Sequence, residues 1–356
     1  MFYSDYQTRV VDRIFDSPDL YVPMIDEEKK AALIIPMSRE TYSESIFLDW
    51  RSERAAPQAE LVPLESINRV FRSRRSPDRA LRFIFHTAFA GSTLLCRCLD
   101  HPGVCLPYKE PSILLQISID RRNSFLSNQP RSSMLSMDLA LALLSRSYSP
   151  TEEVVIKPAD ACVILAREML SYHVNSTALF LNLDLETFVV AMLKHPDRRE
   201  FVRNNIARSK TDLEMLNISL DVDSNELEDG EAAAYVWYGL MVQYLDVLND
   251  GALRARSLNA SVFYQKPRET LKALAEFFEL DLTDSQIDES VGENVFARDS
   301  KDPSVRRSAS QTASEDARLR DELSSEIQSA HKWIVGNTKA FPVPEQLPRP
   351  LMELSA

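Results

Sequence analysis

Gly91, Ser92 and Thr93 form the cluster whose types and spacing most directly suggest chemistry. They follow the small-residue stretch Ala88-Phe-Ala90 and open the apolar, helix-favouring Thr93-Leu-Leu95, while Phe83-Ile-Phe85 lies just upstream. A strand, a tight turn and a helix start in that order make an anion site. The first N–H groups of a helix lack intrahelical partners, and its dipole favours negative charge at that end. Gly91 lets a phosphate approach the backbone, and Ser92 and Thr93 add hydroxyls beside it. The chain has only seven glycines, so one at this juncture carries weight. Three further polar residues stand at the ends of strand-like runs. His86 immediately precedes the loop, Glu110 follows the strand-like 103–107 segment, and Lys157 ends Glu153-Val-Val-Ile-Lys157. A carboxylate in a cleft is a candidate general base. An ammonium neutralises developing negative charge or is simply a strand-end lysine. His86 is either a buried, hydrogen-bonded histidine or part of the catalytic set.

The elements that must position these groups alternate. After the 83–85 run come the 103–107 segment, a helical 112–116, a helix from about 133 to 147, and the 153–157 strand. Asp160 is expected to cap a helix carrying Cys162 to Leu170. Thr177–Leu183 reads as a buried strand, and helices are expected at 184–194 and 226–249. A last strand is expected at Ala260–Tyr264, then a helix opened by Pro267. Strand-helix alternation predicts an α/β fold with a parallel sheet flanked by helices and ligands beyond the strand C-termini. Residues 1–76 read as a cap or added β element, 77–338 as the α/β domain, and 339–356 as a Pro-rich tail.

At 356 residues the chain easily buries a core, and its formal charge of −12 argues against a general nucleic-acid binder. No apolar stretch approaches membrane-spanning length and no charged-then-apolar leader is present, so a cytoplasmic protein without a membrane partner is expected. The four cysteines include Cys96-x-Cys98 on one helix, whose side chains diverge; free, buried thiols are expected rather than a zinc site or a disulfide.

The loop is not that of a nucleoside triphosphatase. Gly91 stands where a Walker A sequence has its Lys, and no Lys lies between Arg82 and Lys109. Gly91-Ser-Thr-Leu-Leu followed by Leu99-Asp-His-Pro-Gly-Val104 instead resembles the 5′-phosphosulfate loop of sulfotransferases. The similarity is greatest to the tyrosylprotein sulfotransferases and their bacterial relatives. Glu153–Pro158, Gln265–Asp281, Ser300-Lys-Asp-Pro303 with Arg306 and Arg307, and Glu326–Trp333 follow in the family's order, so the likeness spans about 81–334.

The resemblance implies a P-loop NTPase-like fold and transfer of a sulfuryl group from 3′-phosphoadenosine 5′-phosphosulfate (PAPS) to a hydroxyl or amine of a small-molecule or peptide acceptor, with no metal expected. It places Ala88, Phe89, Ala90, Gly91, Ser92, Thr93 and Lys301 at the donor, and Glu110, Lys157 and His86 at the reacting centre. Lys109-Glu-Pro111 is similar to the segment carrying the family's catalytic Glu. The departures are specific. Phe89 replaces a loop Lys or Arg, and the Arg and Ser that hold the donor's 3′-phosphate fall on Leu183 and Ala191. Asp184 and Glu186 would repel a phosphate they faced. Arg97, Arg203, Arg208, Lys301 and Arg306 are the candidate substitutes. A P-loop-fold protein using another nucleotide or group donor, and a catalytically silent binding protein, remain the alternatives.

Overall fold

The computed structural model describes residues 10–49, 59–74, 79–129, 135–292, 296 and 309–352. In chain order, the strands are β1 (Leu20–Tyr21), β2 (Ile25–Asp26), β3 (Ala31–Pro36), β4 (Glu60–Pro63), β5 (Arg82–His86), β6 (Cys105–Lys109), β7 (Glu153–Lys157), β8 (Thr177–Asn182) and β9 (Arg254–Asn259). The helices used below are α1 (Arg39–Glu44), α2 (Ser92–Leu99), α3 (Ser112–Ser127), α4 (Met137–Leu144), α5 (Ala166–Leu170), α6 (Leu185–Leu193), α7 (Pro196–Met215), α8 (Asp229–Leu248), α9 (Ala260–Gln265) and α10 (Pro267–Phe278).

Strands β5 to β9 form one parallel sheet in the order β6-β7-β5-β8-β9, which makes β5 central. All five residues of β5 and all six of β8 are buried, as the unbroken apolar runs require of strands covered on both faces. The register pairs Lys109 with Lys157 across β6 and β7, and His86 with Leu181 across β5 and β8. The C-terminal ends of β5, β6 and β7 therefore meet at one edge.

Several expected elements differ. The last strand is Arg254–Asn259, not 260–264; Asn259 accepts from the Ser261 N–H and turns the chain into α9. Ala260, Val262 and Phe263 are buried on that helix, while the polar β9 sits at the sheet edge. There Ser257 N–H donates to Arg349 O and Leu351 N–H to Ser257 O, so the Pro-rich stretch lies along the otherwise unpaired side of β9. Asp160 caps nothing: a 3₁₀ turn spans Asp160–Leu165 before the short α5. The strand expected at 103–107 runs from 105 to 109, and the helix after it is 16 residues long.

The N-terminal stretch contributes an antiparallel four-stranded sheet, with β1, β2 and β4 all pairing with β3. It is fastened to the β6 side of the large sheet by buried polar contacts. Arg39 donates to Glu152 (2.9 Å), Asp100 (2.6 Å) and Cys105 O (2.8 Å). Arg146 donates to Ile14 O, Ser17 O and Leu20 O. Closest to the strand ends, Leu48 N–H donates to Lys109 O and Ser112 N–H to Leu48 O. Truncating Arg39 removes the cation from two nearly buried carboxylates, Asp100 and Glu152, and leaves Glu152 to the Gly103 and Tyr148 N–H groups. Arg39→Leu is therefore expected to destabilise the chain by about 3 kcal/mol in urea denaturation, and a loss below about 1 kcal/mol would contradict this anchoring role.

Candidate functional site

Strand β5 delivers the chain into the loop through Thr87, which is fully buried. Its N–H donates to Leu181 O, and its hydroxyl accepts from Leu183 N–H at 3.2 Å, pinning the loop entrance to the end of β8. Ala90 N–H returns to Thr87 O, closing a tight turn. Two of the next residues take left-handed backbone, Phe89 at φ 63° and Gly91 at φ 83°. Gly91 is the N-cap of α2 and offers no side-chain acceptor, so the first N–H groups of that helix are not capped from within. A Cβ on Gly91 would overlap the Tyr264 hydroxyl, so glycine here satisfies both the backbone angle and the packing. Ala88 is half-buried, and Ala90, Ser92 and Thr93 are buried around the turn.

At the same edge, three predicted residues are brought together. Lys157 Nζ lies 2.5 Å from Glu110 Oε1 and 3.3 Å from His86 Nε2, and His86 Nε2 lies 3.7 Å from Glu110 Oε1. The lysine side chain is 0 % exposed, so its ammonium depends on these partners and on the Phe47 ring, 5.2 Å away. Glu110 keeps 21 % of its side chain exposed, which leaves a face open to an acceptor. Its N–H donates to Lys157 O at 2.6 Å, while its φ of 55° turns the chain off the strand. A non-glycine residue held there is strained, as functional residues sometimes are.

Burial, reinforced by the Lys157 charge, pushes the His86 pKa down to about 4. His86 is thus neutral near pH 7. Nδ1 lies 3.3 Å from Thr87 O, and Nε2 lies 3.2 Å from Pro158 O as well as 3.3 Å from Lys157 Nζ, so two backbone carbonyls hold the ring against the ammonium. Next to the trio, Asp160 pairs with Arg208 at 2.6 Å; burial pushes the carboxyl up, but the guanidinium outweighs it and holds the pKa below the usual value.

The other sequence expectations resolve one by one. Arg208 is engaged by Asp160, and Arg203 by Asp229 and Leu227 O. Lys301 and Arg306 lie outside the described residues. Asp184 is the N-cap of α6, accepting from Thr187 N–H and Thr187 Oγ1, and Glu186 pairs with Arg320. All four cysteines are free and buried, with burial pushing Cys96, Cys98 and Cys162 up to about 12. Among the described residues, no group of three or more His, Cys, Asp or Glu is placed to hold a metal ion, and no helix is long and apolar enough to cross a membrane. Sequence reasoning missed Phe47, Tyr264 and Arg198. Arg198 sits in the charged run Pro196–Glu200, where nothing marks it out, yet its guanidinium lies 3.9 Å from the Phe89 ring centroid.

The depressed His86 pKa carries a pH dependence. Between pH 6.5 and about 4 the unfolded chain takes up a proton that the folded chain refuses, so stability falls as pH drops through that window and recovers above it. The His86 contribution to the slope is at most about 1.4 kcal/mol per pH unit. His86→Gln is expected to flatten the pH dependence of urea stability between pH 4 and 6.5; an unchanged slope would show that His86 is not the group responsible.

No family model and no curated protein matches this sequence. Among solved structures, the chain is similar to the sulfotransferase domain from the curacin biosynthetic pathway, at 13 % identity and a TM-score of 0.38, covering 72 % of this chain and 97 % of that one. It is also similar to a sulfotransferase from Alicyclobacillus acidocaldarius, at 14 % identity and a TM-score of 0.35, with 72 % and 94 % covered. A third is the sulfotransferase domain from the Synechococcus PCC 7002 olefin synthase, at 15 % identity and a TM-score of 0.34, with 76 % and 99 % covered.

Proposed function

We propose that this chain transfers a sulfuryl group from PAPS to a hydroxyl or amine of an acceptor. The observation that carries this reading is the contact of Lys157 with both Glu110 and His86 at the strand edge that also launches the Gly91–Thr93 turn. In the reaction, the acceptor oxygen or nitrogen bonds to sulfur, and the bond from sulfur to the bridging oxygen breaks. Adenosine 3′,5′-bisphosphate leaves with that electron pair, and the acceptor's proton passes to Glu110. As in phosphoryl transfer, positioning and charge stabilisation supply most of the rate.

The Glu110–Lys157 pair gives the two groups a shared logic. Each neutralises the other. An incoming anionic sulfuryl group competes for the ammonium and releases the carboxylate to take the proton. His86, neutral and 3.3 Å from the ammonium, bounds its position while it changes partners. The N–H groups at the start of α2 take the donor's 5′-phosphate.

A second reading is favoured by Phe89, Leu183 and Ala191, which stand where the resemblance calls for cationic or hydroxyl anchors. It assigns the same edge to a different nucleotide or group donor. Titration calorimetry separates the two. On the sulfuryl reading, adenosine 3′,5′-bisphosphate binds with a Kd of about 1–100 μM, while ATP binds far more weakly. Gly91→Asp is expected to abolish that binding, because its side chain collides with the Tyr264 hydroxyl, strains the turn at φ 83° and adds a negative charge beside the α2 N–H groups. Binding of ATP alone would support the second reading, and binding of neither would point to a silent scaffold.

A further inference from the structure

We infer that Arg198 supplies, from α7, the positive charge that the phosphate loop lacks in its own sequence. The inference rests on the donor reading above and names a further residue of that site. Between Arg82 on β5 and Arg97 near the end of α2 the chain carries no Lys or Arg, so residues 88–93 meet an anion with backbone N–H groups and hydroxyls alone.

Phe89 explains how the missing charge is brought in. A bulky aromatic residue at φ 63° persists only where its surroundings fix it, because that backbone region disfavours side chains with a Cβ. Here two residues of one helix face fix it. The Arg198 guanidinium carbon lies over the ring, 3.9 Å from its centroid, and Phe201, three residues on, meets the ring edge-on at 6.3 Å. The cation–π contact fixes the charge beside the loop. Arg198 Nη1 donates to Ala191 O at 2.8 Å near the end of α6. The Phe89 ring and Ala191 O thus hold the guanidinium beside the loop before any ligand arrives, and a guanidinium suits a phosphate or sulfate. Phe89, which removes a cation from the loop, is then the platform on which a cation from α7 is mounted.

The test is calorimetric titration of adenosine 3′,5′-bisphosphate into the full chain at several salt concentrations, with Arg198→Gln, Arg198→Lys and Phe89→Leu. Arg198→Gln is expected to weaken binding about 10- to 100-fold, the size of a lost charge-assisted phosphate contact, and to make the affinity less sensitive to salt. Arg198→Lys keeps the charge and should recover most of the affinity. Phe89→Leu keeps the charge but removes the platform; its loss should be smaller, and it should vanish when Arg198→Gln is already present. An Arg198→Gln variant that binds as tightly as the native chain, or more weakly with an unchanged salt dependence, overturns the inference and leaves the donor reading standing. Failure of the native chain to bind the bisphosphate overturns both.

Discussion

Burying a lysine ammonium away from solvent costs on the order of several kcal/mol, a large part of the stability of a domain, unless a counter-charge offsets it. Lys157 is in that position, and Glu110, 2.5 Å away, is its answer. Much of the surrounding structure can be traced to keeping this pair together. Register between β6 and β7 sets Lys109 beside Lys157, so the next residue, Glu110, emerges opposite the ammonium. The left-handed turn at Glu110 brings its carboxylate back over the strand ends instead of letting it run on with the chain. His86 completes the cage from the central strand.

The N-terminal stretch takes part in this arrangement. Lys109, also fully buried, donates to Ser43 O at 2.9 Å, and burial pushes its pKa down to about 8. Leu48 bridges Lys109 O and Ser112 N–H across the Glu110 turn, and Phe47 faces the Lys157 ammonium. Residues 43–48 therefore brace the strained turn from outside the large sheet. Changes in the N-terminal sheet would be felt at the Glu110 carboxylate through these few contacts, with the parallel sheet itself left intact.

The sequence was legible where burial is complete. Phe83-Ile-Phe85, Val154-Val-Ile156 and Ala178–Leu181 lie in strands covered on both faces, and an unbroken apolar run is the signature of that environment. It was misleading at β9, whose Arg, Ser and Asn residues belong to a sheet edge covered by the Pro-rich stretch, while the apolar run after it is a capped helix. The chemistry divided in the same way. Gly91 could be singled out because its neighbours in sequence are its neighbours in space. Glu110 and Lys157, 47 residues apart, were placed at one centre by the family resemblance and their strand ends, whereas the pairing of Asp160 with Arg208, 48 apart, is a product of helix packing that spacing does not encode. Arg198 was hidden for the same reason, its role being visible only once α7 lies against the loop.

The central claim is that the carboxylate beside Lys157 accepts a proton during sulfuryl transfer. Chromatographic measurement of adenosine 3′,5′-bisphosphate released from PAPS, with a mixed pool of alcohols, phenols and amines as acceptors, tests it most directly. Glu110→Gln preserves shape while removing proton acceptance, so the account predicts release at least about 100-fold slower than in the native chain, with bisphosphate affinity little changed. Equal rates in the two proteins, or no release by the native chain above that of Gly91→Asp, would contradict it.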